Sequence, residues 1–415
     1  MRTRSQSVPS RNQATLNVLK LAATSRILTI FFGVLGTSIV EDYDRSGDLI
    51  FPKIQNSVLS AFAKWDSVYF LRIADRGYGH EQVHAFFPGY PFLIRAFDWV
   101  LRPFLNRLAL SETECLAFSG MLISNVFFCL AALVLFKLTM SVFKDERKAY
   151  LSAALFCFPS CTVFMSAVYT ESLFSLLSFS VFYLVDTRRN FQALVIIGLA
   201  ALVRSNATFL LIAFVPNVLK RPIPSISGKG VITLLAAIGL TLGVIHGYLR
   251  LSRSTYCDQI EPPSWCHEYS NIYSYAQEMF WDVGILKYWQ VKNVAFFFLA
   301  VPTFLISVLG VIRPWIRDRI DSVLKRPTWS RLVVDFLHDK MSIYAIHLIA
   351  CLAVTLLIAN VQIVTRLVSS CPAYFWAQSE IVKSGEKLLV VPLTVVHWVY
   401  FFIGIVLFCN FLPWT

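Results

Sequence analysis

The sequence predicts an all-α, polytopic membrane protein, and three observations carry that prediction. Of its 415 residues, 56% are hydrophobic and only 15% are charged, against about 25% charged in a typical soluble domain. The mean hydropathy is +0.61, with 35 Phe and 10 Trp, more apolar area than a water-facing surface can carry without driving association. Charge-poor stretches long enough to enter a bilayer, about 20 residues each, recur along the whole chain. Soluble enzymes and disordered proteins are thereby excluded. Nine Cys over this length make no disulfide framework.

The predicted spans lie near 21–40, 115–136, 149–168, 172–187, 191–204, 205–219, 231–249, 293–312, 341–365 and 388–412. This corresponds to about 8–10 transmembrane helices in a single integral-membrane domain, 1–415. The fifth and sixth are short and share the polar hinge Arg204-Ser205-Asn206, the pattern of broken or re-entrant helices. Irregular backbone is tolerated at that depth only where it faces protein or a wet cavity. One set of loops, 1–26, 137–148, 186–190, 220–230 and 313–340, carries 21 Lys/Arg. The other set holds the long loops 41–114 and 250–292, the 366–387 segment and the turns at Glu171 and Arg204, with 16 Lys/Arg and 18 of the 25 acids. By the positive-inside rule the first set is cytoplasmic. The net charge of +12 is therefore topological, and no nucleic-acid partner is read from it. Met1–Lys20, with four basic residues and no acid, followed by an apolar run to Val40, reads as an uncleaved signal anchor.

The first long loop is the most informative. In Trp65-Asp66-Ser67-Val68-Tyr69-Phe70-Leu71-Arg72-Ile73, apolar and aromatic residues cover one broad helical face, while Asp66, Arg72 and Asp75 take the others. Such a helix is expected to lie in the interface plane, its aromatic residues in the headgroup boundary. A bend follows at Phe87-Pro88-Gly89-Tyr90-Pro91, then a second amphipathic helix over 95–108. Asp66, one residue from a boundary Trp, is placed at headgroup depth, where a carboxylate base can act on a membrane-bound donor; the competing reading is a solvated charge or a cap. Glu81 carries the same pair of readings, and His84 is read as a packed histidine. Asp42-Tyr43-Asp44 is a charged exit from the bilayer more than a cation site. Cys257…Cys266-His267 lacks the second pair that zinc needs, leaving a local disulfide as the alternative in an oxidising compartment. Glu171 and Arg204 stand between apolar segments, where charge is expensive and calls for a partner: each other, or, for Arg204, a phosphate.

Six motifs together resemble the GPI mannosyltransferase 2 family (PIG-V). They are Trp65-Asp-Ser-Val-Tyr-Phe70 with Gly77-Tyr78, Glu81 and Ala85-Phe-Phe-Pro-Gly-Tyr-Pro91; Tyr169-Thr-Glu-Ser172; Arg204-Ser-Asn206; Tyr273-Ser-Tyr275 with Trp281-Asp-Val-Gly284; Thr365 to Trp376; and Cys409 to Thr415. They run in family order from about residue 60 to the end. The resemblance implies a GT-C glycosyltransferase fold in the endoplasmic reticulum membrane with its site in the first lumenal loop. It implies transfer of the second mannose, in α-1,6 linkage, from dolichyl-phosphate-mannose to a GPI-anchor precursor. No metal or other cofactor is implied, and an accessory membrane subunit is an open expectation.

A β-linked donor giving an α product means one in-line displacement. That requires a carboxylate to take the acceptor's proton and cations to hold the departing phosphate. On this reading Asp66 is the base with Glu81 as its understudy. Arg204, Arg72 and Arg366 are phosphate candidates, Trp65, Tyr69 and Phe87 form the walls of the site, and Glu171 is counted with them among the substrate-binding residues. Two alternatives remain: another dolichyl-phosphate-mannose-dependent GT-C mannosyltransferase, or a polytopic lipid transporter. Transporters often carry internal repeats; the sequence shows none, and its most distinctive motifs concentrate in one loop.

Overall fold

The computed structural model describes residues 11–44, 54, 57–220, 225–325 and 339–414. The basic stretch Met1–Ser10, residues 45–53 and 55–56 near the start of the first long loop, 221–224, 326–338 and Thr415 of the last motif lie outside them. The described chain is a bundle of helices: α1 (Arg11–Ile39), α2 (Ser57–Ala61), α3 (Ser67–Arg76), α4 (Gly89–Leu105), α5 (Glu112–Phe143), α6 (Glu146–Cys157), α7 (Glu171–Asp186), α8 (Asn190–Val203), α9 (Gly228–Cys257), α10 (Trp265–Glu268), α11 (Ile272–Trp281), α12 (Val294–Ser307), α13 (Arg313–Lys325), α14 (Lys340–Leu357), α15 (Val364–Val368), α16 (Pro372–Ser384) and α17 (Lys387–Cys409). The strands described are a two-residue hairpin, Leu219–Lys220 against Ser225–Ile226. Among the described residues, five helices are long and apolar enough to cross a membrane: α1, α5, α9, α17, and α12 continued through a π turn into α13.

The shorter passes are built differently. After α8, Ser205–Asn217 forms a 3-10 helix. At about 2.0 Å of rise per residue, thirteen residues reach roughly 26 Å, close to a hydrocarbon thickness of about 30 Å, where an α-helix of that length would fall short. The span expected over 149–168 is not one helix. Pro159 disfavours helical geometry at Phe158, α6 stops at Cys157, and residues 159–170 run on as buried irregular chain. Arg26 of α1 satisfies that segment: its guanidinium donates to Thr162 O at 2.9 Å, Ser166 Oγ at 3.0 Å and Thr162 Oγ1 at 2.8 Å, and lies 3.7 Å from the Phe128 ring centroid. The chain thus obeys the rule that non-helical backbone at this depth must face protein.

Contacts at the two ends of the bundle correct the expected loop arrangement. At one end, Lys383 pairs with Asp145 at 2.8 Å and Lys148 with Glu380 at 2.9 Å, while Arg188 donates to Asn217. At the other, the second long loop docks on the end of α14 through Gly284 N to Ile358 O at 3.0 Å and Leu286 N to Leu357 O at 2.7 Å. Residues 361–384 therefore run from the long-loop end back to the basic-loop end, a further pass where a loop at one face was expected. Val361, Thr365 and residues 367–379 are buried among the other helices, too polar at Ser369 and Ser370 to register as a hydropathic span. The following helix, α17, then returns to the long-loop end, where Asn410 O accepts from Tyr43 N at 3.0 Å. The end of the described chain thus sits beside the first long loop.

The helix around Tyr69 is corrected too. Its apolar face, Val68, Phe70, Leu71, Ile73 and Ala74, is buried and packs on α4 and α5 instead of lying open to lipid. The helix α4 keeps the amphipathic character expected of it, with Tyr90 and Ile94 buried and Phe92, Trp99 and Phe104 exposed.

Candidate active site

The long-loop end gathers four charged side chains from distant parts of the sequence. Asp66 is the N-cap of α3 but makes no side-chain cap, so its carboxylate is left for other partners. It is placed by a tight turn. Trp65 takes a left-handed backbone with φ of 56°, costing about 1–2 kcal/mol for a residue with a Cβ. Neighbouring contacts hold it there: the Trp65 ring lies 5.5 Å from that of Phe411, and Lys64 pairs with Asp42 at 2.6 Å. Asp42 is thus a structural anchor at the bilayer exit. The Asp66 backbone N–H donates to the Tyr169 hydroxyl at 2.9 Å.

Arg366, in the last turn of α15, joins two carboxylates. Its Nη1 is 3.5 Å from Asp66 Oδ2 and its Nε donates to Glu171 Oε1 at 2.6 Å. The guanidinium also lies over Phe164 and Tyr169, 4.8 and 5.0 Å from their ring centroids. Arg204, the C-cap of α8, reaches the same Glu171 oxygen through Nη1 at 3.1 Å. Glu171 and Arg204 are therefore partners, as the sequence suggested, with Arg366 as a third member. Exposure divides the group: the Glu171 side chain is 0% exposed, those of Arg366 and Arg204 are 15% and 18%, and that of Asp66 is 24%. A ligand can reach Asp66 and both guanidiniums but not Glu171. Burial raises the Asp66 carboxyl above its ordinary value, and the Arg366 charge opposes that rise without cancelling it. The result is a carboxylate more basic than a solvated aspartate.

The other expected site residues form the surroundings. Tyr69 stacks on Phe86 with ring centroids 5.2 Å apart, stands edge-on to Trp281 at 5.6 Å, and accepts from Gln82 at 2.8 Å. Phe87 packs against Tyr248 and Tyr273. Glu81 is engaged elsewhere: its Oε1 accepts from the Trp265 indole at 2.7 Å, tying the first long loop to the second. There Cys257 and Cys266 form a disulfide. Arg72 sits on the exposed side of α3, 2.9 Å from His80 Nε2, outside the four-charge group. His84 is a packed ring between Tyr78 and Tyr248; burial lowers its pKa to about 4, so it is neutral near pH 7.

Sequence reasoning missed Tyr169 as a site residue, although it stands two positions before Glu171 in the same polar motif. Gln82 and Trp281 were also missed. Only tertiary packing brings them to Tyr69.

A multi-pass helical bundle with membrane-length helices, and a partly open carboxylate beside two guanidiniums at one end, has the build of an integral-membrane protein with a charged site. The chain belongs to the family described as Mannosyltransferase (PIG-V), which matches residues 15–415. It is 29% identical to GPI alpha-1,6-mannosyltransferase 2 of Rattus norvegicus, over 96% of this chain and 98% of that protein. Against the Homo sapiens protein of the same name it is 27% identical, over 98% and 99%. GPI mannosyltransferase 2 of Yarrowia lipolytica is 30% identical, over 91% of this chain and 94% of the relative.

Proposed function

We propose that this chain adds the second mannose, in α-1,6 linkage, to the GPI-anchor precursor, using dolichyl-phosphate-mannose in the endoplasmic reticulum membrane with the long-loop end facing the lumen. The observation that carries this reading is Arg366 shared between the open Asp66 and the closed Glu171. A base and a phosphate-binding cation are thereby held side by side. In the displacement, the acceptor hydroxyl oxygen attacks the anomeric carbon of the mannose. The bond from that carbon to the phosphate oxygen breaks, and its electron pair leaves with dolichyl phosphate. Asp66 takes the hydroxyl proton; its raised basicity favours that transfer. Arg366 and Arg204 face the charge that develops on the departing phosphate, where low dielectric strengthens their field. The phosphate leaves as a stable anion, so no separate general acid is needed. Tyr69, Phe86 and Trp281 supply aromatic faces for the sugar.

The test is complementation of cells that lack the second GPI mannosyltransferase. The unaltered chain should restore surface GPI-anchored proteins and clear a precursor carrying a single mannose, followed by mass spectrometry. Asp66→Asn should be present at normal level in the membrane and fail to restore either. Rescue by Asp66→Asn would remove the aspartate from the chemistry, and failure of the unaltered chain would overturn the acceptor assignment.

A further inference from the structure

A second group of reactive side chains lies inside the bundle, apart from the four charges. His347 and Cys351 are four residues apart, on one face of α14, and Cys371 is the N-cap of α16. Their ligand atoms all lie within 4.8 Å of one another, and the two sulfurs are 3.7 Å apart. With zinc–sulfur bonds of about 2.3 Å, the edge of a zinc tetrahedron measures about 3.8 Å. His347 is 1% exposed, and neither of its ring nitrogens has a hydrogen-bond partner. Leaving such a group unmatched in an apolar interior costs about 1–3 kcal/mol.

We propose that His347, Cys351 and Cys371 bind a zinc ion. Imidazole and thiolate are the ligand types zinc prefers, and three protein ligands leave the fourth position to water. Binding releases the two thiol protons. Two thiolates, a neutral imidazole and the divalent ion sum to zero charge, so the filled site carries no net charge into the bundle, where an uncompensated ion is disfavoured. The ion occupies an imidazole nitrogen that no protein group satisfies. Its place in the fold gives it a role. Cys371 follows Arg366 by five positions, across a turn in which Ser369 O and Ser370 O accept from Ser175 and Ser178 of α7. Zinc therefore fastens α14 to the turn that carries the site arginine, as a positioning element outside the reaction.

The test uses the full chain purified in detergent micelles and supplied with zinc. Elemental analysis should find about one zinc ion per chain, lost in both Cys351→Ser and Cys371→Ser but retained in Cys115→Ser. Exchange with cobalt should give sulfur-to-cobalt charge-transfer absorption that the same two variants lack. Because a variant can fail to fold, the unaltered chain is also probed with a thiol reagent: zinc should shield Cys351 and Cys371, and a chelator should expose them. An unaltered chain that takes up no zinc, binds copper in its place, or holds Cys351 and Cys371 as a disulfide on peptide mapping overturns the proposal. None of these readouts depends on the mannosyltransferase activity.

Discussion

Replacing Glu171 with Gln keeps the shape of the side chain and removes one negative charge from the centre of the four-charge group. Glu171 is 0% exposed and its Oε1 serves two guanidiniums, at 2.6 and 3.1 Å. Breaking a buried ion pair by removing one partner costs about 3–5 kcal/mol, because the surviving charge stays buried. Arg366 keeps Asp66 as a counter-ion at 3.5 Å, whereas the Arg204 bonds, to Glu171 and Thr170, both leave from Nη1. One uncompensated cation places the loss near the lower bound, about 3 kcal/mol, or roughly a hundredfold in the folded-to-unfolded ratio. Asp66→Asn differs: that carboxylate is 24% exposed and its ion pair is longer. Solvent screening reduces its loss to about 1 kcal/mol or less. Membrane abundance and thermal melting in detergent, measured for both variants in parallel, should show Glu171→Gln depleted and early-melting and Asp66→Asn near normal. Glu171→Gln melting with the unaltered protein, or equal destabilisation of the two, would refute the division into a closed structural acid and an open reactive one.

Three further outcomes follow from the same geometry. Arg204→Lys retains a cation for Glu171 but loses the fork that grips two phosphate oxygens; abundance should stay near normal while the apparent KM for the polyprenyl-phosphate donor rises on the order of tenfold, about one hydrogen bond to a charged group. Unchanged donor dependence would make Arg204 purely structural. The acid limb of the kcat/KM profile should lie above the ordinary aspartate value of 3.8, because burial raises the Asp66 carboxyl and activity needs its ionised form as pH falls through that value. Arg366→Gln, measured on its residual activity, should move the limb further up, since the cation that favours ionisation is gone; a limb that stays put assigns the base to another group. Gly89→Ala would place a Cβ 2.8 Å from Leu202 O, two residues before Arg204, costing about 1–3 kcal/mol as a lower melting temperature, and unchanged melting would show that the backbones separate freely there.

The sequence disclosed the membrane class, the five long helices and the polar turn at Arg204 between two short apolar segments, because each is a matter of local hydropathy and helix chemistry. It also disclosed Asp66, Glu171 and Arg204 as exceptional, since charges beside apolar runs stand out. It did not disclose the pass over 361–384: Ser369, Ser370 and Gln378 interrupt the apolar run, and their burial comes from neighbouring helices. The helix break at Cys157 was legible in Pro159 but was hidden by the apolar residues on both sides. The shared role of Arg366 could not be read at all, because its partners are 195 and 300 positions away in the chain and only the fold supplies that proximity.

The placement of these four charges has a common physical cause. Asp66 is the N-cap of α3 and Glu171 lies in the first turn of α7, where the unpaired N–H groups of a helix favour negative charge. Arg204 is the C-cap of α8 and Arg366 lies in the last turn of α15, where the free carbonyls favour positive charge. Each side chain therefore sits at the helix end that stabilises it, by about 0.3–1 kcal/mol apiece. Helices that ran unbroken through the bundle would bring fewer such ends beside one another. The short and interrupted passes, with irregular backbone at 159–170 and the turn at Arg204, bring helix termini together at the long-loop end. That arrangement lets a membrane-embedded bundle hold two acids and two arginines together without stranding an unpaired charge, and it explains why the site forms where the regular helical pattern fails.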